Sequence, residues 1–150
     1  MTVSIYKKEI NQDILNLLLL ADPSRESIND YISDSIIFSY TERNLISGIC
    51  CMQISNNSAE IKNISVRPEF QGKGIGSKLI NHICEYCKEH NLLKLFVGTG
   101  NSSIHQLAFY QKHGFIIKNR IPNYFLKYPE PIYENNIQCL DMLILEKSIS

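Results

Sequence analysis

The stretch Val66-Arg67-Pro68-Glu69-Phe70-Gln71-Gly72-Lys73-Gly74-Ile75-Gly76 has residue types and spacing that can do chemistry. An apolar run precedes it, and an amphipathic pattern follows from Ser77 to about His90. The stretch therefore reads as strand, glycine-rich turn, helix. Glycines at alternate positions let the backbone curl tightly and take up φ > 0 without a Cβ penalty. They bring bare N–H groups together at a helix N-terminus, where orphan donors and the positive dipole end point the same way. Phosphate or pyrophosphate suits such a place. A tight strand-to-helix turn with no ligand is the plainer reading of the glycines alone.

Two familiar nucleotide motifs are excluded. No Gly-Lys-Ser/Thr closes the loop as a P-loop requires. The glycines at 72, 74 and 76 do not have the Gly-x-Gly-x-x-Gly spacing of a dinucleotide fingerprint.

The elements around the loop can be read in order. Residues 2–7 suit an opening strand. Asn11 can cap a helix whose apolar residues run from Ile14 to Leu20, and Pro23 bars its continuation. Ser24 reads as the cap of a second helix, with Glu26 in its first turn. Strands are expected over 35–41, 45–54 and 59–66, joined by the polar turns Glu42-Arg43-Asn44 and Asn56-Asn57-Ser58, which makes an antiparallel meander. In the last of these strands the apolar parity changes between Ile61 and Ile64, the mark of a β-bulge. The helix after the loop buries Ile75, Leu79, Ile83 and Cys87. A parallel strand over 92–97 follows, then a turn at Gly98–Ser103, a helix over about 104–113 ending at Gly114, and a strand opening at 115–117. The proline-interrupted aromatic segment 122–136 is a long connection, and 137–145 makes a closing strand.

Length and composition set bounds. The 150 residues suit one domain spanning 1–150, and 44% hydrophobic with 20% charged residues is a globular composition. With 15 basic and 15 acidic residues and no long basic run, nucleic acid is not an expected partner. The run 14–21 is too short to span a bilayer, and no signal peptide is expected. The odd set Cys50, Cys51, Cys84, Cys87 and Cys139 favours a reducing cytoplasm. Cys84-x-x-Cys87 falls mid-helix without a second ligand pair, so neither a metal nor a redox centre is expected.

Gln71-x-x-Gly74-x-Gly76 after Val66-Arg67-Pro68 resembles the acetyl-CoA signature of the GNAT superfamily, the GCN5-related N-acetyltransferases. The block Ala108-Phe109-Tyr110-Gln111-Lys112-His113-Gly114-Phe115 resembles a second family block, a helix that carries a tyrosine and ends in Gly-Phe. The likeness covers about 44–147 well and the first 43 residues only by layout, and it is closest to small bacterial-type single-domain members. It implies an α/β (α+β) GNAT fold: a mixed, mostly antiparallel twisted sheet of about seven strands flanked by about four helices, with a bulged fourth strand splaying from the fifth. It implies acetyl-CoA as cosubstrate, bound in the V-shaped gap by Ile64, Ser65 and Val66 and at the loop by Gln71, Gly72, Lys73, Gly74, Ile75, Gly76 and Ser77. An N–H of the bulged strand would face the thioester oxygen.

Acetyl transfer requires a neutral amine, although an ammonium with a pKa near ~10.4 is mostly charged at neutral pH. By resemblance Tyr110 is the acid: a phenol near ~10 can protonate a thiolate whose conjugate acid lies near ~8.5. A core tyrosine on an amphipathic helix is the other reading. Glu60 matches a position where many members carry a general base, and an ordinary strand-end carboxylate is its alternative. His105 and His113 are lesser candidates, both expected to face solvent. Where the family commonly has asparagine, seven residues before the tyrosine, this chain has Ser103, with Asn101 as a substitute contact. The layout brings the first two helices to the acceptor groove. Asp22, Glu26 and Asp30 there either meet a cationic amine or form a solvated face. Tyr124, Phe125, Tyr128, Glu130, Tyr133 and Glu134 either line the acceptor pocket or make a homodimer surface.

The expectation is an N-acetyltransferase acting on a primary amine of a small molecule or peptide by direct attack in a ternary complex, without metal. The alternative is a non-catalytic acyl-CoA-binding or regulatory domain on the same fold.

Overall fold

The structure, a computed structural model, describes residues 2–149. In chain order the elements are β1 (Thr2–Ile5), α1 (Gln12–Ala21), α2 (Arg25–Tyr31), β2 (Ile36–Glu42), β3 (Leu45–Ser55), β4 (Ser58–Val66), α3 (Ile75–Glu89), β5 (Lys94–Gly100), α4 (Ile104–Lys112), β6 (Ile116–Ile121), β7 (Tyr133–Glu134), β8 (Ile137–Gln138) and β9 (Met142–Ser148). The seven-stranded sheet has the order β1-β2-β3-β4-β5-β9-β6. Its pairs are antiparallel except β4–β5, which is parallel, as the α3 crossover demands. This is the mixed sheet, flanked by four helices, that the GNAT likeness implies.

Local sequence accounts for the element ends. The Asn11 side chain accepts from the Ile14 N–H at 2.9 Å and starts α1, and the Ser24 hydroxyl accepts from the Ser27 N–H at 3.1 Å and starts α2. Arg43 and Asn44, at φ of 53° and 64°, make the two-residue β2–β3 turn. The sheet is covered on both faces. On one side α3 and α4 pack Leu79, Ile83 and Tyr110 against Phe38, Met52, Ile61, Leu95 and Leu145. On the other, α1 and α2 pack Ile14, Leu18 and Ile28 against Ile37, Ile49 and Cys51. The expected cysteine placement also holds: Cys87 is buried and Cys84 half-buried on α3.

The bulge lies where the parity change put it. Cys51 pairs with Asn63 and Met52 with Ile61, leaving Lys62 as the extra residue of β4. Ala59 and Ile61 belong to the α3-side core, and Ile64 and Val66 pack against that same core. β4 pairs with β5 only through Ser58–Ile61 against Lys94–Val97, although β4 runs on to Val66 and β5 to Gly100. Beyond Ile61 the two strands part.

Three expectations change. Gly98–Gly100 is not a turn but the end of β5, because Gly98, Thr99 and Gly100 pair with Ile144, Leu143 and Met142 of β9. Glycine leaves room there: a Cβ on Gly98 would meet Met142 Sδ at 2.6 Å and one on Gly100 would collide with Cys139 Sγ, so either sulfur would have to shift. The closing strand over 137–145 is two strands, β8 and β9, broken at 139–141. Segment 122–136 is not wholly irregular. It holds a 3-10 turn at Tyr124–Lys127 and the strand β7, which pairs with β8 across Asn135-Asn136, both at positive φ (54° and 62°).

Candidate active site

The turn before α3 is built to present N–H groups. A 3-10 turn at Pro68–Phe70 leads in, and the Gln71 side chain donates back to the Val66 carbonyl at 3.0 Å. Gly72 and Gly74 take φ of 78° and 82°, a region closed to most side chains, and a Cβ on either would point into open space. Among the described residues the backbone N–H groups of Gly72 through Ser77 have no hydrogen-bond acceptor in the protein. The first turn of α3 carries no acidic residue to offset the helix dipole. Gly76 has a packing role too: a Cβ there would lie 3.2 Å from the Phe109 ring, so the missing side chain lets α3 and α4 approach. The exposed Lys73 ammonium lies 5.3 Å from the Phe70 ring centroid.

Ser77 is tied down by its side chain. Its hydroxyl lies 2.9 Å from His113 Nε2. His113 was expected in solvent, but it is half-buried beside Phe109, with ring centroids 4.8 Å apart. Burial, then the charges of Lys147 and Lys112, lower its pKa, so the imidazole is neutral at pH 7. His105 is exposed, as expected.

A cleft of about 430 Å³ opens where β4 and β5 part. Ile61–Ile64 and Val97–Gly100 form its floor; Asp22, Pro23, Ser27 and Tyr31 form one wall, and Ser103, Gln106 and Tyr110 the other. Tyr124, Phe125 and Tyr128 close its rim.

Tyr110 is 4% exposed and meets Phe109 and Phe115 edge-on. Burial, with a smaller contribution from Cys50, pushes its pKa well above the phenol range, so the hydroxyl at the cleft wall stays protonated. Glu60 also lines the cleft, with its carboxylate 3.2 Å from the Lys62 ammonium on the bulge and its side chain 44% exposed. The structure thus brings Tyr110, Glu60, Ile64 and Ser103 to one cleft. Ser65 and Val66 continue β4 beyond the point where β5 leaves it.

The residues in place of the family asparagine are largely engaged. The Asn101 side chain donates to the Gln138 carbonyl at 3.1 Å and accepts from the N–H groups of Leu140 and Asp141 at 2.8 and 2.9 Å. It pins the break between β8 and β9. The Ser103 and Ser102 hydroxyls both donate to Glu134 Oε1, at 2.8 and 3.1 Å.

Asn63 was not singled out in the sequence. It is buried, and its amide donates to the Leu18 carbonyl at 2.9 Å and to the Tyr31 hydroxyl at 3.0 Å while accepting from Ser65 at 2.9 Å. The Tyr31 hydroxyl donates on to Asp22 at 3.1 Å. This chain links the parted strand to the cleft carboxylate. An asparagine inside the apolar run Ile61–Val66 was its signal. Of the three acids near α2, Asp22 reaches the cleft, while Glu26 and Asp30 are exposed outside it. Of the aromatic segment, Tyr124, Phe125, Tyr128 and Glu134 line the cleft; Glu130 and Tyr133 do not.

Nothing favours a thiolate. Burial pushes the Cys51 thiol up to about 12 and the Cys87 thiol up to about 11. Among the described residues no group of three or more His, Cys, Asp or Glu side chains is placed to hold a metal, and no helix is long and apolar enough to cross a membrane.

The model of the acetyltransferase (GNAT) family matches residues 10–115. The uncharacterised N-acetyltransferase YvbK of Bacillus subtilis (strain 168) is 38% identical over 140 residues, covering 92% of this chain and 90% of that protein. A crystal structure of a GNAT family acetyltransferase from Elizabethkingia anophelis with acetyl-CoA bound superimposes with a TM-score of 0.92 at 39% identity, over 98% of this chain and 97% of that one. A Bacillus subtilis acetyltransferase in complex with CoA gives a TM-score of 0.93 at 35% identity, over 99% and 98%. The fold is that of these structures, and the chain belongs to the GNAT acetyltransferase family.

Proposed function

We propose that the chain transfers the acetyl group of acetyl-CoA to a primary amine of a small molecule or peptide by direct attack in a ternary complex. The observation that carries the reading is the Tyr110 hydroxyl at the wall of a cleft that opens where β4 leaves β5, with the bare N–H groups before α3 continuing from the same strand. The cradle fits a diphosphate: it offers N–H groups from Gly72 to Ser77, a helix N-terminus without acidic residues, and two glycines at positive φ whose missing side chains leave open space. Gln71 holds this loop to β4, and Lys73 adds an exposed cation beside it. The unpaired edge at Ile64, Ser65 and Val66 would receive the pantetheine arm and supply an oxyanion donor. Bound acetyl-CoA supplies the thioester, and the protein supplies the proton transfers around it.

Glu60 takes the proton of the acceptor ammonium, directly or through water, and Tyr110 gives its proton to the departing sulfur. Burial keeps the phenol protonated but weakens it as an acid, so its transfer of a proton to sulfur relies on the same desolvation destabilising the departing thiolate. Ser103 and Asn101 act mainly as supports of the wall, since their side chains hold Glu134 and the 138–141 segment. We read 1–150 as one acetyltransferase domain. The free cysteines fit a reducing compartment such as the cytoplasm. The edge strand β6 exposes Ile116, Ile117 and Ile121 at 60%, 44% and 43%, which supports pairing with a second copy. Sedimentation of wild type beside Ile117→Lys tests that pairing; a wild type that stays monomeric refutes it.

The decisive experiment is a thiol-release assay with acetyl-CoA against polyamines, aminoglycosides, amino acids and peptide N-termini, with Tyr110→Phe alongside. Turnover on one class that collapses in the variant supports the enzyme and its acid. Acetyl-CoA that raises the melting temperature without turnover on any amine favours the non-catalytic domain. Absence of acetyl-CoA binding refutes both.

A further inference from the structure

We propose that the acceptor is a peptide N-terminus, and that a second hollow beyond Glu60 receives the chain behind the reacting amine. The inference rests on reading the cleft as the acceptor site, and it narrows that reading to one substrate class.

The hollow has a volume of about 360 Å³ and adjoins the cleft at Glu60, which lines both. A row of side chains across three strands forms its floor. Glu60 of β4 is the register partner of Gln53 on β3 and of Phe96 on β5, and all three line the hollow. Ala59, Ile61, Leu95 and Val97 flank Glu60 and Phe96 in the chain and sit in the α3-side core, so Glu60 and Phe96 stand on the other face of the sheet. There α1 and α2 cover Ile37, Ile49 and Cys51, and Gln53 is the next residue of β3 on that face. Phe96 is half-buried and packs in neither core. Gln53 donates an amide N–H to the Tyr31 carbonyl at 3.3 Å, which fixes its side chain at the edge of the hollow. Asn57 and Ser58 add an amide and a hydroxyl. Among the described residues the hollow has one charged group, Glu60, already bridged to Lys62 at 3.2 Å.

The two spaces differ in charge. The cleft carries three carboxylates, Asp22, Glu60 and Glu134, against one ammonium, Lys62. A cationic amine suits the cleft, whereas neutral hydrogen-bonding groups and one aromatic face suit the hollow. A free amino acid sets its own carboxylate beside its amine, among three others. A linear polyamine carries its next charge into the hollow, where the one carboxylate is already paired. A peptide N-terminus has its cation at one end and amides behind it, which matches both spaces in order. The length also fits. From Ile64, in the parted stretch of β4, back to Glu60 is about 13 Å at the usual strand rise. About four residues of extended peptide cover that span. The amine then lies where the strands part, and the chain behind it runs over Glu60 onto Phe96 and Gln53.

The test is kcat/KM, by thiol release from acetyl-CoA, for alanine, alaninamide and a series of progressively longer alanine-initiated peptide amides. Alaninamide should exceed alanine, because it lacks the carboxylate. The value should then climb about tenfold with length and level off at about four residues, the worth of covering part of one aromatic ring. In Phe96→Ala and in Gln53→Ala the ratio of the longest peptide to alaninamide should fall toward one. A loss that only reflects a weakened fold lowers both substrates together and leaves the ratio in place. Gln53→Ala keeps the comparison open if Phe96→Ala folds poorly. A flat length series, a length gain that survives in both variants, or turnover confined to polyamines or amino sugars overturns the peptide acceptor and leaves the enzyme standing. Absence of turnover on every amine, with acetyl-CoA still bound, overturns the enzyme reading and the peptide acceptor with it.

Discussion

Ser77 Oγ and His113 Nε2 lie 2.9 Å apart, joining the first turn of α3 to the residue that ends α4. The pair locks the donor-bearing end of one helix to the tail of the other. His113 titrates with a depressed pKa in the folded protein, through burial first and then Lys147 and Lys112. The unfolded chain therefore binds this proton more readily than the folded one. The stability this histidine contributes is complete above its unfolded pKa of about 6.5, and it is lost as pH falls through the lower folded value. Melting temperature should fall faster below pH about 6.5 in wild type than in His113→Asn. Parallel curves would exclude the effect.

Tyr110→Phe removes one oxygen from a side chain packed between Phe109 and Phe115. The acetyl-CoA dissociation constant should stay unchanged while kcat falls by about 10²–10⁴-fold, the usual contribution of a positioned acid. Because burial holds the phenol protonated, the wild-type rate should show no loss from Tyr110 ionisation at pH 9 to 10. A basic limb that disappears in Tyr110→Phe would contradict this.

Gly74→Ala places a Cβ at φ of 82°, with no neighbour within 4 Å to clash. The cost is backbone strain alone, roughly 1–2 kcal/mol. Urea denaturation should register it, and acetyl-CoA affinity should fall with it as the loop relaxes toward negative φ. Unchanged affinity would separate the loop from the cofactor.

Asn63→Ala removes one of two partners from the Leu18 carbonyl, which keeps the Asp22 N–H, and from the Tyr31 hydroxyl, which keeps the Asp22 carboxylate, and it leaves the buried Ser65 hydroxyl without its acceptor. A loss of roughly 1–3 kcal/mol follows from the buried hydrogen bonds removed and the Ser65 hydroxyl left unpaired. The midpoint of chemical unfolding should move without a change in slope. Asp22, held through Tyr31, would also lose its fixed orientation.

The sequence carried the parts that depend on period and local chemistry. The bulge was readable because Ile61 and Ile64 break phase, and the helix starts because Asn11 and Ser24 are caps. The Gly98–Gly100 strand was not readable. Glycine there answers the close approach of Met142 and Cys139, residues forty positions on, and a lone chain cannot show that contact. The β7–β8 hairpin was obscured because two asparagines take positive φ where glycine is the stronger signal. For the site, the glycine turn and Tyr110 were visible as motifs. The Asn63–Tyr31–Asp22 chain was not, since it joins residues from three elements.

The short pairing of β4 with β5 also bears on how the molecule opens. Among the described residues the two halves of the sheet, β1–β4 and β5, β9 and β6, are joined by the short pairing of Ser58–Ile61 with Lys94–Val97, extended by the Leu93 N–H to the Asn57 carbonyl at 2.7 Å. Hydrogen exchange should find the slowest amides within each half and faster exchange along the seam, because local opening follows the sparsest contacts. A ligand laid in the gap becomes the missing rungs of that ladder. Its binding should slow exchange on Ile64–Val66 and Gly98–Gly100 together and make the two halves of the sheet unfold as one cooperative unit.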